Sequence, residues 1–406
     1  MNRRAPALSF IFITLLLDVL GIGLIIPVGA KLVEELGHWT DREAAPIVGW
    51  LAATYALLQF LFAPVLGALS DRFGRRPVLL ISMLGSGLDY IAMALAPSVP
   101  WLFVTRAING ISGASIPAAS AYIADVTPPE KRAAGFGIIG AAFGLGFVLG
   151  PLMGGVLGDI DLRYPFYAAG VMALLNWLFG LFVLPESLPK EKRNPSPFAW
   201  HPTKALSVLL RYPLALRLSA ALFLLNTAQF ALHATWFFFC QRSFQWTPKE
   251  VGYSLFAVGM GAVLVQGGLA RRLIPKLGER KSLTIGVFCG VIAYLGYAFA
   301  GYRGAGWMIY AAVAIAAFGG IAMPACQALI TKSVDPREQG AVQGGLSSVQ
   351  SLANIAGPLV GSAVYEAATT PSLNFAGLVY IASASLAFLG WLIVAATMRS
   401  RHAAHG

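Results

Sequence analysis

Three charged side chains, Asp18, Asp89 and Arg106, fall inside stretches of sequence that are otherwise apolar. Carboxyl groups in such places commonly exchange protons or anchor polar ligands, so both acids are candidates for proton coupling. The alternative for each is a structural carboxylate that is hydrogen-bonded to a neighbouring helix. Arg106 cannot lose its proton and must find an anionic partner. Either acid could be that partner, and the sequence does not choose between them.

A second group of polar residues in apolar sequence is a candidate lining for a cavity that accepts a flat, polar-aromatic molecule. His233 stands out in this group because the ordinary pKa of histidine is near neutrality. The alternative for every member is a hydrogen bond that joins two helices without any contact to a ligand. The candidates are Tyr55, Gln59, Asn109, Asn226, Gln229, His233, Trp236, Gln327 and Asn354.

The composition indicates an integral membrane protein. Of the 406 residues, 57% are hydrophobic and only 12% are charged, and the mean hydropathy is +0.70. Soluble chains carry about a quarter charged residues. The net charge of +11 lies in short loops, which argues against nucleic acid as a partner. Cys240, Cys289 and Cys326 lie singly in apolar runs, without redox or metal-ligand spacing.

Twelve apolar segments of about 20 residues predict an all-α protein with twelve transmembrane helices. The segments are 8–30, 46–69, 77–96, 100–123, 133–157, 165–184, 214–240, 250–270, 282–300, 305–331, 339–365 and 374–398. With both termini in the cytoplasm, 22 of the 29 Lys and Arg residues fall on the cytoplasmic side, as the positive-inside rule requires.

The chain is predicted to consist of two tandem six-helix bundles, 1–184 and 214–406, joined by a cytoplasmic linker at 185–213 with a short interfacial helix near 202–210. The halves repeat each other, because the words that begin at Gly113 and Gly320 match at a separation of 207 residues. Gly150-Pro-Leu and Gly357-Pro-Leu match at the same separation. Tandem repeats of this kind occur in transporters that bind substrate between their halves.

A basic loop between the second and third segments reads Gly-Ala-Leu-Ser-Asp-Arg-Phe-Gly-Arg-Arg over residues 67–76. Its two glycines are expected to permit a tight turn between helices. Asp71 is expected to accept from a helix N-terminus or to pair with a basic neighbour, and the arginines anchor the loop on the inner surface. The candidate gating residues are Gly67, Asp71, Arg72, Gly74, Arg75 and Arg76.

The fifth segment carries small residues along one helical stripe, which lets another backbone approach closely. Pro151 is expected to bend this helix. A phosphate-binding loop is excluded because no strand precedes the glycines and no lysine follows. The stripe consists of Gly140, Gly144, Gly146, Gly150, Pro151, Gly154 and Gly155.

These motifs resemble those of the major facilitator superfamily. The loop at 67–76 resembles its signature loop, and the glycine stripe resembles the antiporter motif of its 12-span drug/proton antiporters. Arg106, with Gly110 and Gly113, resembles an arginine-centred motif that the family links to proton transfer. The resemblance implies two pseudo-repeated six-helix bundles that export small molecules in exchange for protons.

Longer runs, at residues 17–27, 63–79 and 319–328, resemble tetracycline/proton antiporters. That family exchanges a cytoplasmic metal–tetracycline complex for a periplasmic proton across the bacterial inner membrane. The resemblance implies that Asp18, Asp89 and Arg106 are essential charges and that Asp71 is a gating residue. The expected partners are a small-molecule substrate, protons and the lipid bilayer. The protein is expected to act as a monomer without a cofactor or a resident metal, and a divalent metal would enter only with the substrate.

Two features of that family are missing from the second half. The family's ninth-helix aspartate falls at Gly290, and its eighth-helix histidine falls at about Ala262. The proton route could therefore run through the first half alone, or the substrate could differ from tetracycline. The remaining alternatives are a metabolite or sugar exporter of the same fold, and a membrane scaffold or sensor that transports nothing. No nucleophile–base pair or nucleotide loop indicates an enzyme.

Overall fold

The computed structural model describes residues 4–113, 115–127, 132–193, 202–335 and 338–400, which form helices and contain no β-strand. The first half contains α1 (Arg4–Gly37), α2 (Asp41–Phe73), α3 (Arg75–Ala94), α4 (Val99–Ser112), α5 (Ser115–Val126), α6 (Arg132–Ile160) and α7 (Tyr164–Val183). The remainder contains α8 (Pro202–Leu209), α9 (Pro213–Phe244), α10 (Pro248–Leu264), α11 (Ala270–Leu277), α12 (Glu279–Arg303), α13 (Trp307–Gly319), α14 (Ala322–Thr331), α15 (Gln339–Ala368) and α16 (Leu378–Ser400).

Within the described ranges, ten helical stretches are long and apolar enough to cross a membrane. This confirms the predicted all-α membrane architecture. The predicted segments 100–123 and 339–365 are not among the ten. The first falls on the two short helices α4 and α5, and the second lies within α15. The count of twelve spans stays a prediction.

Two predicted segments, 100–123 and 305–331, are each divided into two helices. The divisions fall between α4 and α5 and between α13 and α14. Pro117 and Pro324 both stand at the third position of the second helix of their pair. A proline is tolerated there because the first four N–H groups of a helix have no intrahelical acceptor. A further interruption is the π-helical turn Val265–Leu269 between α10 and α11, which the sequence did not predict.

The internal repeat is visible in how the glycine-rich helices pack. A Cβ atom on Gly150 of α6 would lie 2.9 Å from the carbonyl oxygen of Leu20 in α1. A Cβ atom on Gly357 of α15 would lie 2.8 Å from the carbonyl oxygen of Thr227 in α9. Gly357 follows Gly150 by 207 residues, and Thr227 follows Leu20 by the same number. The same close approach of two backbones therefore occurs in each half, which confirms the predicted repeat.

The contacts divide the chain into two compact units. Unit 1 comprises Met1–His38, Thr54–Trp200 and Thr247–Phe256, and unit 2 comprises Trp39–Ala53, His201–Trp246 and Ala257–Gly406. The beginning of α2 thus belongs to unit 2, and the beginning of α10 belongs to unit 1. The sequence boundaries 1–184, 185–213 and 214–406 stay predictions. The expected short helix near 202–210 is α8, whereas residues 194–201 of the linker lie outside the described residues.

Candidate functional site

The centre of unit 1 contains a buried ion pair. Arg106 of α4 donates from Nη2 to Oδ2 of Asp89 in α3, and Asn109 Nδ2 donates to the same oxygen at 2.6 Å. The side chain of Asp89 is 1% exposed and that of Arg106 is 17% exposed. The sequence left the partner of Arg106 open between two acids, and the structure assigns Asp89 as that partner.

Helical spacing explains why these groups meet. Arg106 and Asn109 are three residues apart and therefore project from the same face of α4. Asp89 lies fourteen residues after the start of α3, about 21 Å along the helix from the loop. Removing one partner of such a buried pair leaves an uncompensated charge, which typically costs about 3–5 kcal/mol. Each charged group is therefore held in place by the other.

Asp18 belongs to the same region. The hydroxyl groups of Tyr55 and Tyr90 both experience the charges of Asp18, Asp89 and Arg106. The guanidinium carbon of Arg106 lies 5.6 Å from the ring centroid of Tyr55. Residues of α1, α2, α3 and α4 therefore form one polar site in unit 1. Sequence reasoning missed Tyr90, and the signal that could have found it is its place directly after Asp89.

Two predicted cavity residues connect this site to the break between α4 and α5. Gln59 Nε2 donates to the hydroxyl oxygen of Tyr55 at 3.0 Å and to the carbonyl oxygen of Gly113 at 3.3 Å. Gly113 is the residue that follows α4. A polar chain therefore runs from the Arg106 site to the end of α4. Asn109, also predicted as a cavity residue, is buried and hydrogen-bonded to Asp89.

In unit 2, three polar side chains connect α9 to α12. Tyr294 donates from its hydroxyl group to Oε1 of Gln229 at 3.2 Å. Nε2 of Gln229 lies 2.9 Å from Nε2 of His233. Gln229 and His233 are both exposed in the middle of a long apolar helix. The structure thus brings two predicted cavity residues together and adds Tyr294, which sequence reasoning missed.

The other predicted cavity residues of unit 2 lie apart from this group. Trp236 is 2% exposed, and its ring packs against those of Tyr297 at 5.1 Å and Tyr380 at 5.9 Å. The expectation that Trp236 lines an opening is therefore corrected to a role in aromatic packing. Asn226 and Asn354 are partly exposed and Gln327 is exposed, and a ligand contact for these three stays a prediction.

The loop between α2 and α3 consists of Gly74 alone, which has φ of 108°. A positive φ of this size favours glycine. Gly67 is not in the turn, because α2 continues to Phe73 and the Ser70 hydroxyl donates to the Gly67 carbonyl oxygen at 2.7 Å. The expectation that Gly67 permits the turn is therefore wrong.

Arg75 is the centre of the ion-pair network at this loop. It contacts Asp71 at 2.6 Å and Asp125 of α5 at 3.1 Å, and its backbone N–H donates to Glu186 at 2.8 Å. Arg76 donates to the carbonyl oxygen of Leu181 at 2.6 Å, whereas Arg72 is exposed. Asp71 therefore pairs with a basic neighbour, which is one of the two expected arrangements. Asp125 and Glu186 were missed because isolated acids at helix ends look like ordinary surface residues.

Unit 2 repeats one ion pair of this network, Arg75–Asp125, with the charges exchanged. Gly278 precedes α12 with φ of 78°, and Glu279 contacts Lys332 at the end of α14 at 2.5 Å. Glu279 occupies the place after the glycine that Arg75 has in unit 1. Lys332 follows Asp125 by the repeat separation of 207 residues. The pair is therefore retained in both units with opposite polarity.

A second network in unit 2 joins the start of α2 to α9 and α15. Arg242 Nη1 lies 2.9 Å and 2.8 Å from the two carboxylate oxygens of Asp41, and Tyr365 donates its hydroxyl to Asp41 at 2.6 Å. Arg242 also donates to Oδ1 of Asn374 at 2.7 Å. Sequence reasoning missed this cluster because its members look like ordinary charges and polar groups at helix ends.

The comparisons identify the family. Residues 11–319 match the family described as Major Facilitator Superfamily. This chain belongs to that superfamily. It is 40% identical over 381 residues to the tetracycline resistance protein, class C, of Escherichia coli, which covers 94% of both chains. Among solved structures it is similar to the human organic anion transporter MFSD10, with a TM-score of 0.67, 27% identity and coverage of 97% of this chain and 100% of that one.

A D-xylose-proton symporter shares the superfamily fold, with a TM-score of 0.76, 19% identity and coverage of 95% of this chain and 96% of that one. Membership of the superfamily confirms the two-bundle fold class predicted from the repeat. It also makes the protein a multi-pass membrane transporter rather than an enzyme. The described residues contain no group of three or more His, Cys, Asp or Glu side chains that could hold a metal ion.

Proposed function

We propose that this protein is a proton-coupled exporter of small amphiphilic molecules and that tetracycline is a substrate. The observation that carries the proposal is the buried Asp89–Arg106 pair with Asn109 and the neighbouring Asp18. Membrane-embedded carboxylates are costly and commonly serve proton pathways. The 40% identity to a tetracycline resistance protein supports the choice of substrate.

The pair provides a mechanism for coupling. A proton that binds the Asp89 carboxylate removes the negative charge that holds Arg106, so the guanidinium must turn to another acceptor. Asp18 is the nearby anionic candidate, because its charge acts on the same two tyrosines as that of Asp89. Proton binding and release would thereby move Arg106 between two carboxylates. The coupling residues are Asp18, Asp89 and Arg106.

The proposed cycle exchanges one substrate for one proton. The cytoplasm-facing form binds substrate with an ionised carboxylate, and rocking of the two repeats then exposes the substrate to the outer side. Protonation from that side weakens substrate binding, and the protonated form returns. One proton that crosses about 100 mV releases about 2.3 kcal/mol. At about 1.4 kcal/mol per tenfold, this sustains a gradient of about fortyfold for a neutral substrate.

The proposal includes the surroundings of the transporter. The relatives support a place in the bacterial inner membrane, and the distribution of Lys and Arg supports cytoplasmic termini. A divalent metal ion would be cargo carried with tetracycline and would not be a resident of the protein. We propose that the monomer is the functional unit, because each unit contains its own polar site.

The test is tetracycline accumulation in cells that express the chain, with and without a protonophore. We expect low accumulation that rises on uncoupling, and we expect Asp89→Asn to accumulate as much as empty-vector cells. A membrane-inserted wild-type protein that leaves accumulation at the empty-vector level would refute tetracycline export. Low accumulation that ignores the protonophore would refute proton coupling.

A further inference from the structure

The polar side chains within the apolar helices α9 and α12 of unit 2 differ in type from the charged side chains of the site in unit 1. Within the described residues of α9 and α12, the spans contain no carboxylate except Glu279 at the start of α12. The expected aspartate is replaced by Gly290, where an added Cβ would meet no atom within 4 Å. The polar groups of these two helices include an amide, an imidazole and a phenol that lie together, contributed by Gln229, His233 and Tyr294.

These three groups form a directed chain of hydrogen bonds. Tyr294 donates to Oε1 of Gln229 at 3.2 Å, which leaves the Gln229 NH₂ group to donate to Nε2 of His233 at 2.9 Å. With the Gln229 amide oriented in this way, Nε2 accepts, and the proton of the neutral ring is assigned to Nδ1. No other described residue accepts a hydrogen bond from Nδ1. This assignment leaves the Nδ1–H group available to a ligand.

The position of His233 favours a ligand over a purely structural contact. It lies eleven residues from the end of α9, about 16 Å along the helix. The ring of His233 is exposed, as is the side chain of Gln229 one turn earlier on α9, so both groups are accessible to a ligand. Phe230 presents an apolar ring beside it, with centroids 6.1 Å apart. On α12, the open position Gly290 lies one turn from Tyr294 and on the same face.

We propose that His233 is the substrate-contacting group of the second unit, with Gln229 and Tyr294 as its positioning residues. Nδ1–H of His233 donates to a carbonyl or enol oxygen of an amphiphilic substrate, and Phe230 supports the apolar part of that substrate. The inference rests on the proposed export function and deepens it. It assigns substrate recognition in unit 2 to a neutral donor and leaves proton coupling to the carboxylates of unit 1.

The test measures tetracycline binding to purified protein without any gradient, together with proton-driven uptake into everted vesicles. We expect His233→Phe to weaken binding at least tenfold and to raise KM accordingly, with the maximal rate within about twofold of wild type. Gln229→Leu and Tyr294→Phe should weaken binding by about threefold. Neither should have any further effect in a His233→Phe background, because both act through the ring. His233→Asn, which retains an N–H donor, should bind better than His233→Phe.

Two controls separate this inference from the proposed function. Asp89→Asn should lose proton-driven uptake and bind tetracycline with an affinity that no longer changes with pH, whereas His233→Phe should weaken binding and keep its pH dependence. Ser385→Ala, at an exposed hydroxyl that bonds only within α16, should retain wild-type uptake and binding. Unchanged affinity in His233→Phe and His233→Asn would overturn the inference and leave the proposed function intact. Equal losses in all His233 variants and in Ser385→Ala would also overturn it. A wild-type protein that binds no tetracycline would overturn the inference together with the proposed substrate.

Discussion

At the scale of the residue, the two partners of the buried ion pair differ in how they respond to loss of the other. A lone Asp89 can neutralise itself by binding a proton, whereas a lone Arg106 keeps its charge in any physiological condition. The single substitutions at Asp89 and at Arg106 therefore lower the free energy of unfolding by different amounts, although both remove the same contact. This asymmetry also suits a transporter, because only the carboxylate side of the pair can exchange a proton.

We expect Asp89→Asn to lower the free energy of unfolding by about 3 kcal/mol, because it leaves the Arg106 guanidinium buried without its anionic partner. Arg106→Leu should cost less, and the double variant should regain part of the loss caused by Asp89→Asn. Denaturant unfolding of the purified protein in detergent measures all three variants. Additive losses in the double variant would contradict a direct pair.

Trp236 provides a second residue-scale prediction, since its ring is enclosed by other aromatic rings. Trp236→Ala should reduce the free energy of unfolding by about 3–5 kcal/mol, the usual cost of removing a large buried side chain. Trp50 is 57% exposed, and Trp50→Ala is the matched control, with little expected change. The melting temperatures of the two variants make the comparison. Equal stability would show that Trp236 is not part of the packed interior.

At the scale of the element, the glycine stripe of α6 contains positions with different surroundings. A Cβ atom at Gly150 would lie 2.7 Å from the Gly23 Cα atom of α1, whereas one at Gly140 would meet nothing within 4 Å. Only the first position requires a small residue for close helix packing. The sequence motif treats both positions alike, and the structure separates them.

We therefore expect opposite effects of alanine at the two positions. Gly150→Ala should force α1 and α6 apart and lower the melting temperature, with loss of transport. Gly140→Ala should be neutral or stabilise the helix by up to about 1 kcal/mol, because alanine is the better helix former. The melting temperature and the tetracycline accumulation of both variants test these expectations. A Gly150→Ala variant with the melting temperature and transport of the wild type would mean that α1 and α6 can move apart without loss of stability.

Sequence reasoning predicted elements and embedded charges well because both produce strong local signals. Asp89 and Arg106 stand out as charges in apolar runs, but their pairing depends on how α3 packs against α4. Asp41 and Arg242 are 201 residues apart and have no local signal at all. The breaks after α4 and α13 were missed because hydropathy is continuous across them. The turn at Gly74 was predicted, but the continuation of α2 from residue 69 to Phe73 was not.

At the scale of the whole molecule, alternating access requires contacts that form in one state and break in another. The Asp41–Arg242 pair has the construction of such a contact. Asp41 is at the start of α2, whose first residues belong to unit 2 and whose remainder belongs to unit 1. A charge-assisted hydrogen bond of this kind is stronger than a neutral one. Nη1 of Arg242 contacts both oxygens of Asp41, and Tyr365 adds a further hydrogen bond to the same carboxylate. The pair therefore fixes α2 to α9 and α15 in the state described.

If this contact belongs to the transport cycle, reversing either charge should slow transport, and reversing both should restore part of it. We expect Asp41→Arg and Arg242→Asp each to reduce the rate of tetracycline export about tenfold, because like charges then face each other. The double variant should recover severalfold. Recovery should stay incomplete because the hydrogen bond from Tyr365 to the Asp41 carboxylate is lost. Proton-driven uptake into everted vesicles measures the rates, with Western blotting to normalise the amount of protein.

Lys249→Glu is the matched control, because Lys249 is exposed, forms no ion pair in the described part of the chain, and lies, like Arg242, between the predicted segments 214–240 and 250–270. It should export at the wild-type rate. Ser372 is exposed and lies two residues from Asn374, and Ser372→Cys reports the accessibility of this region through its reaction with a membrane-impermeant thiol reagent. That reaction should be faster in the single reversals than in the double variant. If the double variant is as slow as either single one and reacts as fast, the pair does not hold the start of α2 against α9 and α15, and its apolar contacts must do so.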